Sequence, residues 1–138
     1  MAADTFEYAP APESRALVHL RSSYGLFIGG EFVDTVDGSA FKTVNPATEE
    51  VLAEVTEASP GDVDRAVRAA RRAYTRTWSR LSGRERGKYL FRIARIIQER
   101  SRELAVLESL DNGKPIKESR DVDVPLAAAH FFLSLIHI

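Results

Sequence analysis

The sequence predicts a mixed α/β chain in which an antiparallel β meander is followed by three helices. Two observations support this fold class. The first 58 residues alternate short apolar runs with turn signals such as Gly29-Gly30 and Asn45-Pro46, which is typical of short strands. From Ser59 onward, apolar residues recur at spacings of three and four, the period of an amphipathic helix. Strands therefore come first and helices second.

The composition is that of an ordinary one-domain chain. Its 138 residues are 44% hydrophobic and carry a formal net charge of -1, so charge gives no reason to expect nucleic acid as a partner. The start has no basic segment followed by an apolar run, and no stretch approaches the roughly 20 apolar residues of a membrane span. We therefore expect a cytoplasmic protein with no membrane partner.

Short strands are predicted after an amino-terminal arm. Residues 1–24 are expected to form the arm, because its prolines interrupt regular structure, with one short helical turn at residues 16–20. The runs at residues 26–28 and 31–33 flank Gly29-Gly30 and predict a hairpin. Asp37-Gly38 predicts the next turn. Two more strands are predicted at residues 41–44 and 51–55.

Two long helices are predicted from their first residues. Ser59-Pro60-Gly61-Asp62 supplies a capping hydroxyl, a proline at the first helical position and a carboxylate near the positive end of the helix dipole. Ser82 with Glu85 three residues later forms a capping box, and the apolar stripe after it extends that helix to Asp111. Asn112-Gly113 can then close the helix in the left-handed conformation, and Pro115 cannot continue it.

A last helix is predicted near the carboxyl terminus. After a short helical turn to about Arg120, Asp123 is expected to cap this helix, with Pro125 in its first turn. Apolar residues at helical spacing predict its buried side. That side would include Val122, Leu126, Ala127 and Phe131.

Beyond these periodicities, the order of motifs resembles the amino-terminal part of NAD(P)-dependent aldehyde dehydrogenases. Each motif is common alone, but six in this order are specific, and they cover residues 26–132. The motifs are Phe27-Ile28-Gly29-Gly30-Glu31-Phe32-Val33, Thr43-Val44-Asn45-Pro46-Ala47-Thr48, the helix opening at 62–71, Trp78, the helix start at Arg84, and Leu110-Asp111-Asn112-Gly113-Lys114-Pro115. The resemblance implies that residues 25–132 are the amino-terminal portion of a coenzyme-binding domain with an incomplete Rossmann-type core. Residues 133–138 would be a tail foreign to the family, following a truncation.

The resemblance also implies a chemistry that this chain does not contain. The intact family member oxidises an aldehyde to a carboxylic acid with NAD or NADP, through a thiohemiacetal on a cysteine. Its nucleophile, general base, oxyanion-hole asparagine and coenzyme-contacting lysine lie further along the family's sequence, so no catalytic or cofactor-binding residue can be assigned here. Because the chain has no cysteine, we expect it to be inactive alone. Because the coenzyme-contacting lysine lies further along the family's sequence, we expect this chain to bind no coenzyme.

Two partner hypotheses follow. If the chain is a dehydrogenase segment, its partners are the remainder of its own fold, an aldehyde and, when complete, further copies in a homo-oligomer. The alternative is a non-catalytic helical interaction module. Cooperative unfolding of a monomer would favour the module, whereas exposed apolar helix faces would favour the segment.

Two sets of site residues are implied by the resemblance. Asp111, with backbone carbonyls around Thr43 and Val44, resembles a site for a structural monovalent cation; the alternative is a carboxylate that accepts local backbone hydrogen bonds at a helix end. Val122 and Leu126 correspond to a wall of the aldehyde tunnel; the alternative is ordinary core packing.

Other candidate residues have simpler interpretations. Lys114 is expected to be solvated, and His130 to be a partly buried structural residue because no ligand-spaced partner accompanies it. The arginines between Arg65 and Arg80 are spaced as on the solvent-exposed face of an amphipathic helix. Gly29-Gly30 lacks the spacing of a dinucleotide-binding loop and does not lie between a strand and a helix.

Overall fold

The computed structural model describes residues 14–36 and 38–134. Most of the predicted arm, Asp37 of the predicted turn and residues 135–138 of the predicted tail therefore lie outside the described residues. None of the described helices is both long and apolar enough to cross a membrane.

Five short strands precede the helices, as the sequence predicts, but they form two sheets. The strands are β1 (Ser23–Tyr24), β2 (Leu26–Ile28), β3 (Glu31–Val33), β4 (Ala40–Val44) and β5 (Val51–Thr56). One sheet has the order β1-β5-β4, in which β1 runs parallel and β4 antiparallel to β5; the other is the β2–β3 hairpin. The mixed α/β class is confirmed, whereas the single antiparallel meander is wrong.

The parallel pair arises because the end of the predicted arm joins the sheet. Ser23 and Tyr24 lie beside Glu54 and Val55 of β5. A Cβ placed on Gly25, the residue after β1, would lie 3.1 Å from the carbonyl oxygen of Val33. Backbone segments thus come close together where β1 gives way to the hairpin, and the pairing of β1 depends on residues about 30 positions away.

The described helices are α1 (Pro60–Arg76), α2 (Gly83–Glu99), α3 (Ser101–Asn112), α4 (Ile116–Glu118) and α5 (Val124–Ser134). Arg15–Leu17 and Trp78–Arg80 form 3-10 turns. Both predicted capping boxes are present: Asp62 N–H donates to Ser59 Oγ at 3.2 Å, and Glu85 N–H donates to Ser82 Oγ at 3.3 Å. The starts of α1 and α2 are therefore confirmed.

The second predicted helix is divided at Arg100. This residue has φ -102° and ψ 19°, so α2 ends at Glu99 and α3 begins at Ser101. The guanidinium of Arg100 binds the carboxylate of Glu103 at 2.5 Å. Because the apolar period continues across the break, from Ile97 to Leu104, the sequence pattern does not indicate it.

The last helix differs from its prediction in both start and orientation. Helical structure runs on from Ile116 through a π-helical turn at Ser119–Asp123, so Asp123 lies inside it and caps nothing. The buried apolar residues of this helix are Val124 and Ala128, whereas Val122, Leu126 and Ala127 are exposed and Phe131 is half-buried. Since α5 is apolar on nearly every side, its periodicity cannot select a face, and packing on α2 selects it instead.

The core of the described chain is small. Its buried apolar residues are Ala53, Ala94, Ala105, Val106, Val124 and Ala128. Larger side chains meet at its edges: the rings of Phe91 and Phe132 join α2 to α5 with centroids 5.6 Å apart. Many bulky apolar side chains remain exposed to solvent among the described residues.

Candidate functional site

The segment that ends α3 contacts the loop between β4 and β5. Gly113 has φ 78° and ends the helix in the left-handed conformation, while Asn112 stays helical and its amide donates to Glu108 Oε1 at 3.2 Å. A Cβ on Gly113 would lie 2.6 Å from Cγ of Pro46. Glycine is therefore required at this position both by the backbone angle and by the proline ring.

The opposing loop is held in shape by Asn45, whose role the sequence did not indicate. The side chain is buried, and its Oδ1 accepts from Ala47 N–H at 2.9 Å. Its backbone N–H donates to the carbonyl of Glu50 at 2.9 Å, which closes the loop. This Asx turn holds Pro46 against Gly113; an Asn-Pro pair is its only local signal.

Thr43 and Asp111, two of the three predicted cation ligands, are brought together. The hydroxyl of Thr43 on β4 donates to Oδ1 of Asp111 at the end of α3. The register between β4 and β5 shifts between Thr43 and Val44, because Thr43 pairs with Ala53 and Val44 with Val51. Irregular pairing of this kind redirects backbone groups. Val44 follows on the same strand and is 39% exposed. This bond comes from a side chain 68 positions away, so it is not the local backbone hydrogen bond of the alternative, and both the cation and that alternative remain predictions.

A cleft of 340 Å³ lies beside this contact, between the three-stranded sheet and α3. Its lining includes Leu20, Tyr24, Thr43, Leu52, Leu107 and Asp111. Among the described residues no group of three or more His, Asp or Glu side chains is placed to hold a metal. The carboxylates that line the cleft are those of Glu108 and Asp111, and a cation here would depend on them together with hydroxyl and carbonyl oxygens, which are ligands suited to a hard ion.

Val122 and Leu126, the two predicted tunnel residues, face outward. Val122 is 55% exposed and Leu126 is 51% exposed. Neither packs into the core of the described residues, so the core-packing alternative would require contacts with other parts of the protein, and it stays a prediction. Their role in an aldehyde tunnel stays a prediction.

Asp62 does more than cap α1. Its carboxylate, 1% exposed, accepts hydrogen bonds from Thr35 Oγ1 at 2.5 Å and from Ser59 Oγ at 2.8 Å, and it binds the guanidinium of Arg65 at 2.7 Å. The bond from Thr35, supported by those from Ser59 and Val36, holds the pKa of Asp62 far below its usual range. The bond from Thr35 could not be read from the local sequence, and it fastens the chain after β3 to the start of α1.

Lys114 is not the solvated residue that the sequence predicts. Its Nζ lies 2.5 Å from Oδ2 of Asp123, and both side chains are about one-third exposed. The hydrogen bond and the charge of Asp123 raise the pKa of Lys114. The prediction for His130 is also wrong, since this residue is exposed.

The arginines of α1 form a mostly exposed face, as predicted. Arg68 pairs with Asp64 one turn earlier at 2.7 Å, and Arg71, Arg72 and Arg76 are exposed. Arg65, which pairs with Asp62, is half-buried. This pairing within α1 is typical of a solvated helix face.

The Gly29-Gly30 turn and the starts of α1 and α2 do not fit the pyrophosphate of a dinucleotide. Gly29 and Gly30, with φ 69° and 99°, form the turn between the two strands of the hairpin, not a turn from a strand into a helix. The backbone N–H groups at the starts of α1 and α2 belong to capping boxes completed by Asp62 and Glu85. An anion at either start would have to displace the chain's own carboxylate.

Comparison with known proteins assigns this arrangement of elements. The model of the aldehyde dehydrogenase family matches residues 32–136, which is more than half of the chain. The chain belongs to the aldehyde dehydrogenase family. Its short strands followed by helices match the aldehyde dehydrogenase fold, consistent with the amino-terminal portion that the resemblance implies.

Individual aldehyde dehydrogenases agree with the family model. Aldehyde dehydrogenase 1 of Tanacetum cinerariifolium is 52% identical over 99 residues, covering 71% of this chain and 20% of the relative. An aldehyde dehydrogenase of Alternaria alternata is 46% identical over 104 residues, covering 75% and 21% respectively. The NAD⁺ complex of the Bacillus cereus enzyme superposes with a TM-score of 0.81 at 39% identity, over 92% of this chain and 26% of that one. The chain spans about a fifth to a quarter of these relatives.

Proposed function

We propose that this chain is the amino-terminal segment of an enzyme that oxidises an aldehyde to a carboxylic acid with NAD or NADP. The observation that carries the proposal is the superposition on the Bacillus cereus aldehyde dehydrogenase, solved as its NAD⁺ complex, with a TM-score of 0.81 over 92% of the chain. The coenzyme supplies a hydride acceptor. The thiol that forms the thiohemiacetal would come from the rest of the enzyme, since this chain contains no cysteine.

The exposed apolar surface supports a segment that packs on further structure. Val63, Val67 and Tyr74 of α1 are each more than half exposed, although the spacing of this stripe is that of a helix face turned toward a core. The hairpin residues Phe27 and Phe32 are 65% and 59% exposed. Apolar patches of this kind mark surfaces that contact other protein. We assign these faces to contacts with the remainder of the dehydrogenase fold, within a coenzyme-binding domain to which residues 25–132 contribute.

Two site assignments belong to the same proposal. Thr43, Val44 and Asp111 would hold a structural monovalent cation, supported by the approach of Thr43 to Asp111 and by the register shift between Thr43 and Val44. Val122 and Leu126 would line the aldehyde tunnel, supported by their outward position. In this proposal the chain forms part of the tunnel wall and supports the fold around it, but it supplies no reacting atom.

The test compares the complete reading frame with the chain alone. The product of the full reading frame should reduce NAD or NADP only when an aldehyde is present, followed as absorbance of the reduced coenzyme. The 138-residue chain should give no reduction under the same conditions. Lack of activity with a panel of aliphatic and aromatic aldehydes would contradict the proposal. A chain that unfolds cooperatively as a monomer and binds no hydrophobic dye would instead favour an interaction module.

A further inference from the structure

A π-helical turn separates the short helix α4 from α5. It covers Ser119–Asp123, and Val124 N–H donates to the carbonyl of Ser119, five residues back. Such turns are rare, because they fit an additional residue into one helical turn, and they occur often at functional sites. The position of every side chain downstream on α5 depends on whether this turn keeps its form.

Two side-chain contacts hold the turn, one at each end. At its start, Ser119 is fully buried and its Oγ lies 3.4 Å from Oγ of Ser109 on α3. At its end, Asp123 binds Lys114 Nζ at 2.5 Å. Lys114 follows directly after Gly113, so this second contact ties the turn to the segment that ends α3.

The contact at Asp123 is the more consequential of the two. Oδ2 of Asp123 is shielded from solvent, and the atom it meets is Lys114 Nζ. A buried carboxylate oxygen without a cation costs free energy. Removal of the lysine should therefore favour an arrangement in which this oxygen of Asp123 is hydrated. About one-third of the Asp123 side chain is exposed, but Oδ2 is not, so hydration of this oxygen favours a change in the shape of the turn. Conversion of the π turn to an α-helical turn would rotate α5 by about 100°, the share of one residue in an α-helix.

Such a rotation would move the outward-facing side chains of α5. Val122 lies within the turn and Leu126 lies one turn further on, and both are now more than half exposed. A change of about 100° would carry Leu126 away from its present direction. We propose that Lys114 is a positioning residue that, through Asp123, holds the π turn and so sets the direction in which Val122 and Leu126 point. The consequence for aldehyde selection rests on the proposed function.

The first experiment measures hydrogen exchange on the complete protein that carries this segment. In Lys114→Met, and in Asp123→Asn as a second variant, amides of residues 119–126 should exchange about tenfold faster, while those of α1 and β5 keep their wild-type rates. Lys114→Arg, which retains a cation, should restore slow exchange. Lys42→Met is the control, because Lys42 is an exposed lysine on β4, outside the turn.

The second experiment separates positioning from simple stability. In the active enzyme, Lys114→Met should change the ratio of kcat/KM between a long aliphatic aldehyde and acetaldehyde by about tenfold, through KM with kcat nearly unchanged. Lys114→Arg should keep the wild-type ratio. Faster exchange in every helix alike, or unchanged exchange in residues 119–126, would overturn the inference, and so would an unchanged ratio in an active enzyme. An inactive wild-type protein would count against the proposed function instead, and the exchange result would then decide this inference.

Discussion

Replacing Gly113 with alanine tests the contact between the end of α3 and the β4–β5 loop. At φ 78°, an alanine pays the left-handed conformational penalty, about 1–2 kcal/mol. Its Cβ would also lie 2.6 Å from Cγ of Pro46, so the proline ring must move. Such overpacking costs about 1–3 kcal/mol. Together we expect a loss of about 2–5 kcal/mol of unfolding free energy.

The assay is urea unfolding of the complete protein that carries this segment, followed by circular dichroism, with Gly38→Ala as the matched control. Gly38 has φ 69°, close to that of Gly113, but a Cβ added to Gly38 would meet no heavy atom within 4 Å. Gly38→Ala should therefore lose only the conformational part, about 1–2 kcal/mol. The difference between the two variants measures the approach of Pro46 to Gly113.

A double variant makes the reasoning refutable. Pro46→Ala removes the Cγ that the new methyl group would meet, so Gly113→Ala should cost less in the Pro46→Ala background than in the wild type. Equal losses for Gly113→Ala and Gly38→Ala would show that the proline ring does not crowd this position. An unchanged cost of Gly113→Ala in the Pro46→Ala background would lead to the same conclusion.

Three further predictions concern charge, ions and surface. The pKa of Asp62 lies below its ordinary value of 3.8, so the ionised carboxylate contributes its full stabilisation above pH 3.8 and loses it as the pH falls further. Between pH 5 and about pH 2, the urea midpoint of Asp62→Asn should therefore decline less than that of the wild type. If Asp111 helps to hold a cation, potassium at constant ionic strength should raise the urea midpoint of the wild type but not that of Asp111→Asn, and tetramethylammonium should raise neither. Since Val67 is 51% exposed, Val67→Lys should reduce self-association of the chain in sedimentation while leaving its helical circular dichroism unchanged.

The features that the sequence predicts correctly are those determined by residues close together in the chain. The capping boxes at Ser59 and Ser82 each join residues three apart, and the Gly29-Gly30 turn and the Gly113 stop each depend on one or two backbone angles. Local propensity and local hydrogen bonds decide such features, and tertiary packing rarely reverses them. This is why element types and most boundaries followed from the sequence.

The features that it misses depend on distant contacts. The break at Arg100 leaves the apolar period intact, and the buried side of α5 is chosen by α2. Thr35 and Asp62 meet across 27 positions, and Thr43 and Asp111 across 68. The second pair could be suggested by family resemblance alone, because neither spacing nor periodicity relates two residues so far apart. The Lys114–Asp123 pair had no sequence signal at all, since an exposed lysine is the commoner case.

The end of α3 does more than stop a helix, because consecutive residues around it contact different parts of the fold. Asp111 meets Thr43 of β4, Gly113 packs on Pro46, and Lys114 binds Asp123 at the π turn. The left-handed angle at Gly113 sets the direction of the chain between the first and last of these contacts. A shift at Gly113 should therefore weaken the Lys114–Asp123 pair as well. Gly113→Ala and Lys114→Met should be non-additive in unfolding free energy, whereas Gly38→Ala and Lys114→Met should add, since Gly38 lies outside this junction.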